Sequence, residues 1–411
     1  MKNILTLLFQ SWRYYAITIF SYALSFISIP IFISCLGINK YGNFELYLSI
    51  SFLIAALIDL GLTNYAIRES IKQVFSDSVM FWNITIIKSL LLFLLLIVFT
   101  LIINLNFFGQ YDYRLLFLSL LLGFSRSLIP VWYFQAKELI GAWGVSIAIS
   151  QVASILITFF CVYKNIDILV DYLLIINIVI NFSIYLFFFF RINDINESKA
   201  INLASIKQVI KASTSLAPAA VFSTIYTYGG NLLVATFAGS ENLGTYALAD
   251  RLHKSIIGVL GPLTQSYYPR IIQLIKIDYN SAKILMKEIR NLFLVLSITI
   301  ISFIWLFGDI VVKKFSGPHY SQNTTFFLKF LSIHILITAL SRVYGYLWLV
   351  PNHEDKKFSS SVLLGSIIYI ISSILLGPYF KIYGVITSFL LAEIMILILL
   401  IYYTKIIKSK S

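Results

Sequence analysis

The chain has 411 residues, of which 59% are hydrophobic and 12% charged, against about 45–50% and about 25% in soluble domains. That composition excludes a soluble globular protein. The formal charge of +13 does not indicate nucleic acid, because the basic residues lie mostly in short connections between apolar runs, the signature of membrane topology.

The first apolar run, Tyr14 to Leu36, follows a short start containing Lys2 and Arg13. It exceeds the roughly 7–15 residues of a signal-peptide core, so it reads as a retained helix. Further runs lie near 43–67, 80–104, 114–136, 143–163, 168–190, 213–238, 245–268, 289–312, 325–350, 358–377 and 383–404. Each has the length of about 17–25 residues that a bilayer core demands. Continuous apolar runs, unlike short alternating ones, exclude a transmembrane β-barrel. The reading is an all-α polytopic membrane protein with about twelve transmembrane helices.

Connections on the side of the N-terminus carry far more Lys and Arg than those opposite, which assigns both termini to the cytoplasm. The longest polar interruption, Arg191 to Ser213, separates two sets of six helices. The expected organisation is an N-lobe over 1–190, a cytoplasmic linker over 191–212 and a C-lobe over 213–411. In the second half of that interruption, Ile206, Val209 and Ile210 alternate with Lys207 and Lys211, which fits either an amphipathic surface helix or a plain linker. Cys35 and Cys161 lie near the ends of apolar runs. They read as small apolar fillers, although a disulfide is geometrically conceivable.

Within the spans stand Lys88, Arg126, Arg251, Lys254, Lys329 and Arg342, against Asp59, Asp250 and Glu393. Placing all the basic residues toward lipid would cost roughly 15–20 kcal/mol on insertion scales. Lys88 and Lys329 lie nearer span ends, where snorkelling relieves the cost. The others sit deeper.

On the 245–268 run, Gly244, Ala247, Arg251, Lys254, Ser255, Gly258, Pro262 and Gln265 share one helical face. Asp250 stands one turn before Lys254 and is placed to pair with it, leaving Arg251. Similar stripes are Ser119, Gly123, Arg126, Ser127 and Pro130, then Ala339, Arg342 and Tyr346, then Ala220, Thr224, Thr227 and Asn231. Small residues alone fit tight helix packing. Arginine among them fits a hydrated, positively charged cavity for an anionic ligand, because its planar donors match phosphate.

Several segments also resemble one family. SRSLIPVWYFQAKEL (Ser125 to Leu139), DLGLTNYAIRE (Asp59 to Glu69), LGTYALADRL (Leu243 to Leu252), PLTQSYYPRI (Pro262 to Ile271) and YGVITSFLLAE (Tyr383 to Glu393) resemble motifs of Wzx-type O-antigen flippases. Lys137 replaces the small or polar residue more usual there. The resemblance implies the multidrug/oligosaccharidyl-lipid/polysaccharide (MOP) exporter fold, with two six-helix lobes around a central cavity working by alternating access. It implies an undecaprenyl-diphosphate-linked oligosaccharide as substrate, moved across the bacterial inner membrane for lipopolysaccharide biosynthesis. An O-antigen polymerase and a chain-length regulator are the implied protein partners. Asp59, Arg126 and Arg270 fall in family-like motifs, Arg251 stands where a basic residue is frequent, and Arg68, Glu69 and Arg270 are candidates for a cytoplasmic gate.

Together, the residues and the resemblance make Arg126, Arg251, Lys254, Arg342 and Lys88 the candidate diphosphate site. Tyr226, Tyr228, Asn231, Trp132 and Tyr133 are candidates for sugar contacts, with packing or interfacial anchoring the alternative for the aromatics. Asp59, Asp250 and Glu393 are candidates for coupling H+ or Na+, or for salt bridges. No cofactor is expected, and no Gly-x-x-x-x-Gly-Lys-Ser/Thr loop indicates ATP use. His253, His319, His334 and His353 show no metal-ligand spacing. A membrane polymerase or glycosyltransferase is disfavoured by the short external loops, and a cation-drug antiporter by the excess of basic residues in the spans.

Overall fold

The computed structural model describes residues 2–71, 76–104, 112–137, 140–164, 170–192, 203–213, 217–258 and 260–410. Among the described residues the regular structure is helical throughout, with no strand. This follows from continuous apolar sequence, because a helix satisfies its own backbone in lipid.

Helix α1 (Lys2–Asp59) runs through two expected spans, bending at Gly37, where φ is 71°. A positive φ is cheap for glycine. Next come α2 (Leu62–Ile71), α3 (Asp77–Asn104) and α4 (Tyr113–Leu128). The span expected over 114–136 is broken in two, because Pro130 forces the preceding Ile129 out of helical geometry, to ψ 125°. The chain resumes as α5 (Val131–Ala136), then α6 (Ile140–Tyr163), α7 (Val170–Ile192) and α8 (Leu203–Ser213).

Of the two alternatives for the second half of the polar interruption, a helix is the one formed, as α8: Val209 is buried, while Lys207 and Lys211 are exposed. The preceding linker residues lie outside the described residues, as do the side chains of Cys161 and Pro262. The rest comprises α9 (Ala217–Ala238), α10 (Ser240–Gly258), α11 (Leu260–Ile277), α12 (Tyr279–Ser316), α13 (Gln322–Ser341) with a π-helical continuation Arg342–Leu349, and α14 (Asp355–Lys410). Helix α14 spans the last two expected segments and bends at Lys381, φ 51°.

Seven helices among the described residues are long and apolar enough to cross a membrane. Leu90, Phe93, Leu94, Ile97 and Leu101 of α3 are exposed, as are Trp305, Leu306 and Ile310 of α12. Apolar faces this extensive belong against lipid. Helices α6, α9 and α10, which fall on the expected spans near 143–163, 213–238 and 245–268, are not among those seven. In α10 the reason is charge: Glu241, Asp250, Arg251 and Lys254 share 19 residues.

Two compact units emerge, one of Met1–Ile17 with Asn43–Leu232, the other of Thr18–Gly42 with Leu233–Ser411. The first is built on Leu62, Tyr65, Phe81, Trp132, Phe134 and Phe188, which close α2, α3, α5 and α7 around one core with Val209 of α8. In the second, α13 is the central helix, packed on α10, α12 and α14. Here glycines set the closest approach: a Cβ on Gly42 would lie 2.5 Å from the Gly244 backbone nitrogen, and one on Gly244 would strike the Ile38 carbonyl.

The glycine contact and the cap of α12 can each be tested. Gly244→Ala should destabilise the protein by about 1–3 kcal/mol through overpacking, read as a lower melting temperature in detergent. Asp278 accepts bonds from the Ser281 hydroxyl and from the backbone N–H groups of Ser281 and Asn280. The Ser281 hydroxyl bond first, then the backbone bonds, hold its carboxyl below the ordinary range. A lowered folded pKa gives stabilisation that is complete above the unfolded value and lost as pH falls through the folded one. Asp278→Asn, which caps without titrating, should flatten the acid limb of the melting curve.

Candidate functional site

The Asp-Leu-Gly-Leu segment that ends α1 builds a polar knot. Leu60 and Gly61 take φ of 41° and 78°, turning the chain so that Asp59 faces the first turn of α2. Its carboxylate accepts from the Thr63 hydroxyl at 2.7 Å and from the Thr63 N–H at 3.3 Å. Lys88 of α3 meets the same carboxylate at 2.9 Å and also donates to the Ser127 carbonyl of α4. Snorkelling was the expectation for Lys88, and the structure corrects it: the side chain is 2% exposed. A buried lysine with a carboxylate and a carbonyl is a tie between helices.

A second polar layer of this unit joins α1, α4 and α9. Gly123 allows α4 to approach α1 closely, since a Cβ there would lie 2.7 Å from the Ser51 carbonyl oxygen. One turn on, Arg126 Nη1 donates to the Ser51 hydroxyl at 2.7 Å, and its guanidinium carbon lies 4.0 Å from the centroid of the Phe52 ring. Phe52 stacks on Tyr228 with centroids 4.0 Å apart. Asn231, one turn after Tyr228, donates to the Ser49 hydroxyl at 2.8 Å, while its own Oδ1 is buried without a hydrogen-bond partner. Cation, stacked aromatics and amide therefore share one layer, chemistry suited to an anion with a sugar attached.

In the second unit Lys254 meets Asp250 at 2.6 Å, the expected pair one turn apart. Arg251 and Arg342 are half-buried. Arg342 opens the π-helical stretch, and its Nη1 would be 3.6 Å from a Cβ built on Gly261. Between α10, α13 and α14 runs a chain of buried groups that sequence spacing did not reveal. His253 Nε2 lies 3.0 Å from His334 Nδ1, and His334 Nε2 lies 2.9 Å from Glu393 and 2.6 Å from the Thr338 hydroxyl. His253 and His334 are 81 positions apart, so only the fold brings them together. Among the described residues no group of three or more His, Cys, Asp or Glu could hold a metal ion.

The remaining candidates disperse. Trp132 is 1% exposed in the core of the first unit, with Tyr133 packed against it, so the packing alternative describes Trp132 in this conformation. Tyr226 is half-buried on α9. Arg68 is exposed and meets its neighbour Glu69 at 3.2 Å, and Arg270 is exposed on α11. Lys137, the departure from the family motif, reaches Asp77 at the start of α3 at 2.6 Å.

Residues 9–275 match a family model described as polysaccharide biosynthesis protein. Proteins named "Putative O-antigen transporter" from Shigella dysenteriae and from Escherichia coli strain K12 are each 22% identical over 401 residues. The match covers 94% of this chain, and 96% and 93% of theirs. Among solved structures, the lipid II flippase MurJ in an inward closed conformation superposes with a TM-score of 0.71 at 17% identity, over 95% of this chain and 87% of that one. An inward-facing multidrug resistance MATE family transporter of the MOP superfamily gives 0.64 at 13%, over 97% and 98%. The fold is that of the MOP superfamily.

The Asp59–Lys88 knot yields a double-mutant prediction. Lys88→Met alone should destabilise by about 3–5 kcal/mol, because it strands a carboxylate, whereas Lys88→Met with Asp59→Leu should recover most of that loss. Thermal melting of the three proteins in detergent decides.

Proposed function

Because the chain belongs to the polysaccharide biosynthesis protein family, we propose that it moves an undecaprenyl-diphosphate-linked O-antigen repeat unit from the cytoplasmic to the periplasmic leaflet of the bacterial inner membrane by alternating access. The observation that carries this reading is the layer of Ser49, Ser51, Phe52, Arg126, Tyr228 and Asn231. The Arg126 guanidinium is suited to a diphosphate. The Phe52–Tyr228 stack offers a ring face to a sugar, and the unsatisfied Asn231 oxygen accepts a sugar hydroxyl. The relatives named for O-antigen transport support the substrate class.

In this reading Arg251, Arg342 and Lys254 add positive charge for the diphosphate, Lys254 in company with Asp250. Tyr226 joins Tyr228 in sugar contact, and the prenyl tail stays in lipid. No bond in the substrate is made or broken, so the protein is a transporter and not an enzyme. The repeat unit passes on to an O-antigen polymerase and its chain-length regulator. An inward flow of H+ or Na+ supplies the drive, about 2.3 kcal/mol per charge for each 100 mV.

The test is complementation in a bacterium lacking its own repeat-unit flippase, at matched membrane abundance. Arg126→Ala, Arg251→Ala, Lys254→Ala and Arg342→Ala should each lower surface polysaccharide by about tenfold or more, the worth of a lost charged hydrogen bond. Arg126→Lys should retain partial activity. Normal polysaccharide from all four alanine variants would remove the cationic site from the mechanism.

A further inference from the structure

We propose that His253, His334 and Glu393 form a site that binds one proton and thereby couples transport to proton flow. This rests on the flippase reading above and names its coupling ion. Of the three candidate acids, Asp59 and Asp250 are each held by a lysine. Glu393 differs in that its contacts include an imidazole, that of His334, which can be neutral.

The hydrogen bonds leave room for one proton. With Glu393 ionised and both imidazoles neutral, His253 Nε2–H donates to His334 Nδ1, and His334 Nε2–H is shared between the Glu393 carboxylate, 2.9 Å away, and the Thr338 hydroxyl, 2.6 Å away. The vacant position is then His253 Nδ1, a buried lone pair with no hydrogen-bond partner on a side chain 1% exposed. A proton added there can be relayed. His253 Nε2 gives its proton to His334 Nδ1, and His334 Nε2 gives its proton to the Glu393 carboxylate. Both rings change tautomer, each imidazole stays neutral, and one carboxylate becomes a carboxylic acid. The net change is one proton gained and one negative charge removed.

The site spans three helices, so its charge bears on how they pack. His253 lies on α10, His334 on α13 and Glu393 on α14. Around it stand Tyr246, Asp250 and Lys254 on α10 and Tyr369 on α14, with Asp250 acting on both phenols and Lys254 acting on His253. Asp309 of α12 and Lys329 of α13 are paired with each other at 2.9 Å. A neutral cluster is the cheaper one to carry through low dielectric. Sodium fits poorly, because hard cations prefer oxygen ligands and two of the three groups offer imidazole nitrogen.

The decisive measurement is pH-difference infrared spectroscopy on the full chain in lipid nanodiscs, between about pH 8 and about pH 5, where imidazole networks titrate. The wild type should lose a carboxylate signal and gain a protonated carboxyl signal together with imidazole tautomer bands. Glu393→Gln should abolish that carboxyl signal, Glu393→Asp should shift it without abolishing it, and His334→Gln should move its midpoint. A wild type with no carboxyl protonation overturns the proposal without any variant having to fold. So does a signal that persists in Glu393→Gln, or one that sodium removes at constant pH. Complementation is run beside it. If wild type restores surface polysaccharide but shows no carboxyl titration, the coupling site fails and the flippase reading stands. If the titration is present but wild type does not complement, the proton site stands and the substrate reading fails.

Discussion

A polar group in hydrocarbon has no water to fall back on, and the placement of charge in this protein follows from that constraint. Asp59 gathers a lysine, a hydroxyl and an N–H from α3 and α2. Asp250 takes Lys254 from its own helix. Glu393 takes a histidine, which brings a second histidine with it. The apolar faces ask nothing comparable: Leu and Phe side chains on α3 and α12 simply lie outward. Lys88 and His334 thus tie particular helices together, on top of the contacts that the apolar core and the close-packed glycines set.

This division explains what could be read from the sequence. Apolar length is local information, so the helical segments were legible, and the Asp250–Lys254 pair was legible because one turn separates the two. The family motifs pointed to the fold through residues that now have physical roles, as in Asp59 capping α2 and Gly244 admitting α1. The break at Pro130 was missed because the apolar run continues across it. Burial of Lys88 was missed because its partners lie on other helices, 29 positions away in the case of Asp59. The His253–His334–Glu393 chain was invisible for the same reason. An available signal was the run His334, Thr338 and Arg342 at a spacing of four, which places the three on one face of the helix.

The two units use these ties differently. In the first, Lys88 crosses from α3 to α1 and α4, and the Arg126 layer joins α1, α4 and α9, so four helices share charge or hydrogen bonds. In the second, the ties converge on α13, which carries His334 and continues into Arg342. A helix that meets three others and also bears an ionisable chain is well placed to transmit a change of charge into a change of packing.

The π-helical stretch Arg342–Leu349 bears on ancestry. A π turn is the form a helix takes when it absorbs one extra residue without moving its ends. Losing that residue would restore regular α-helical geometry and leave the flanking parts of the helix in register. His334 lies before the stretch and Gly345, Leu347 and Trp348 lie within it, buried. The stretch therefore tolerates a change of length by one residue better than exchange of its packed side chains, a Cβ on Gly345 lying 2.7 Å from the Phe358 ring, and in aligning distant relatives a single-residue gap belongs here before anywhere else in this helix.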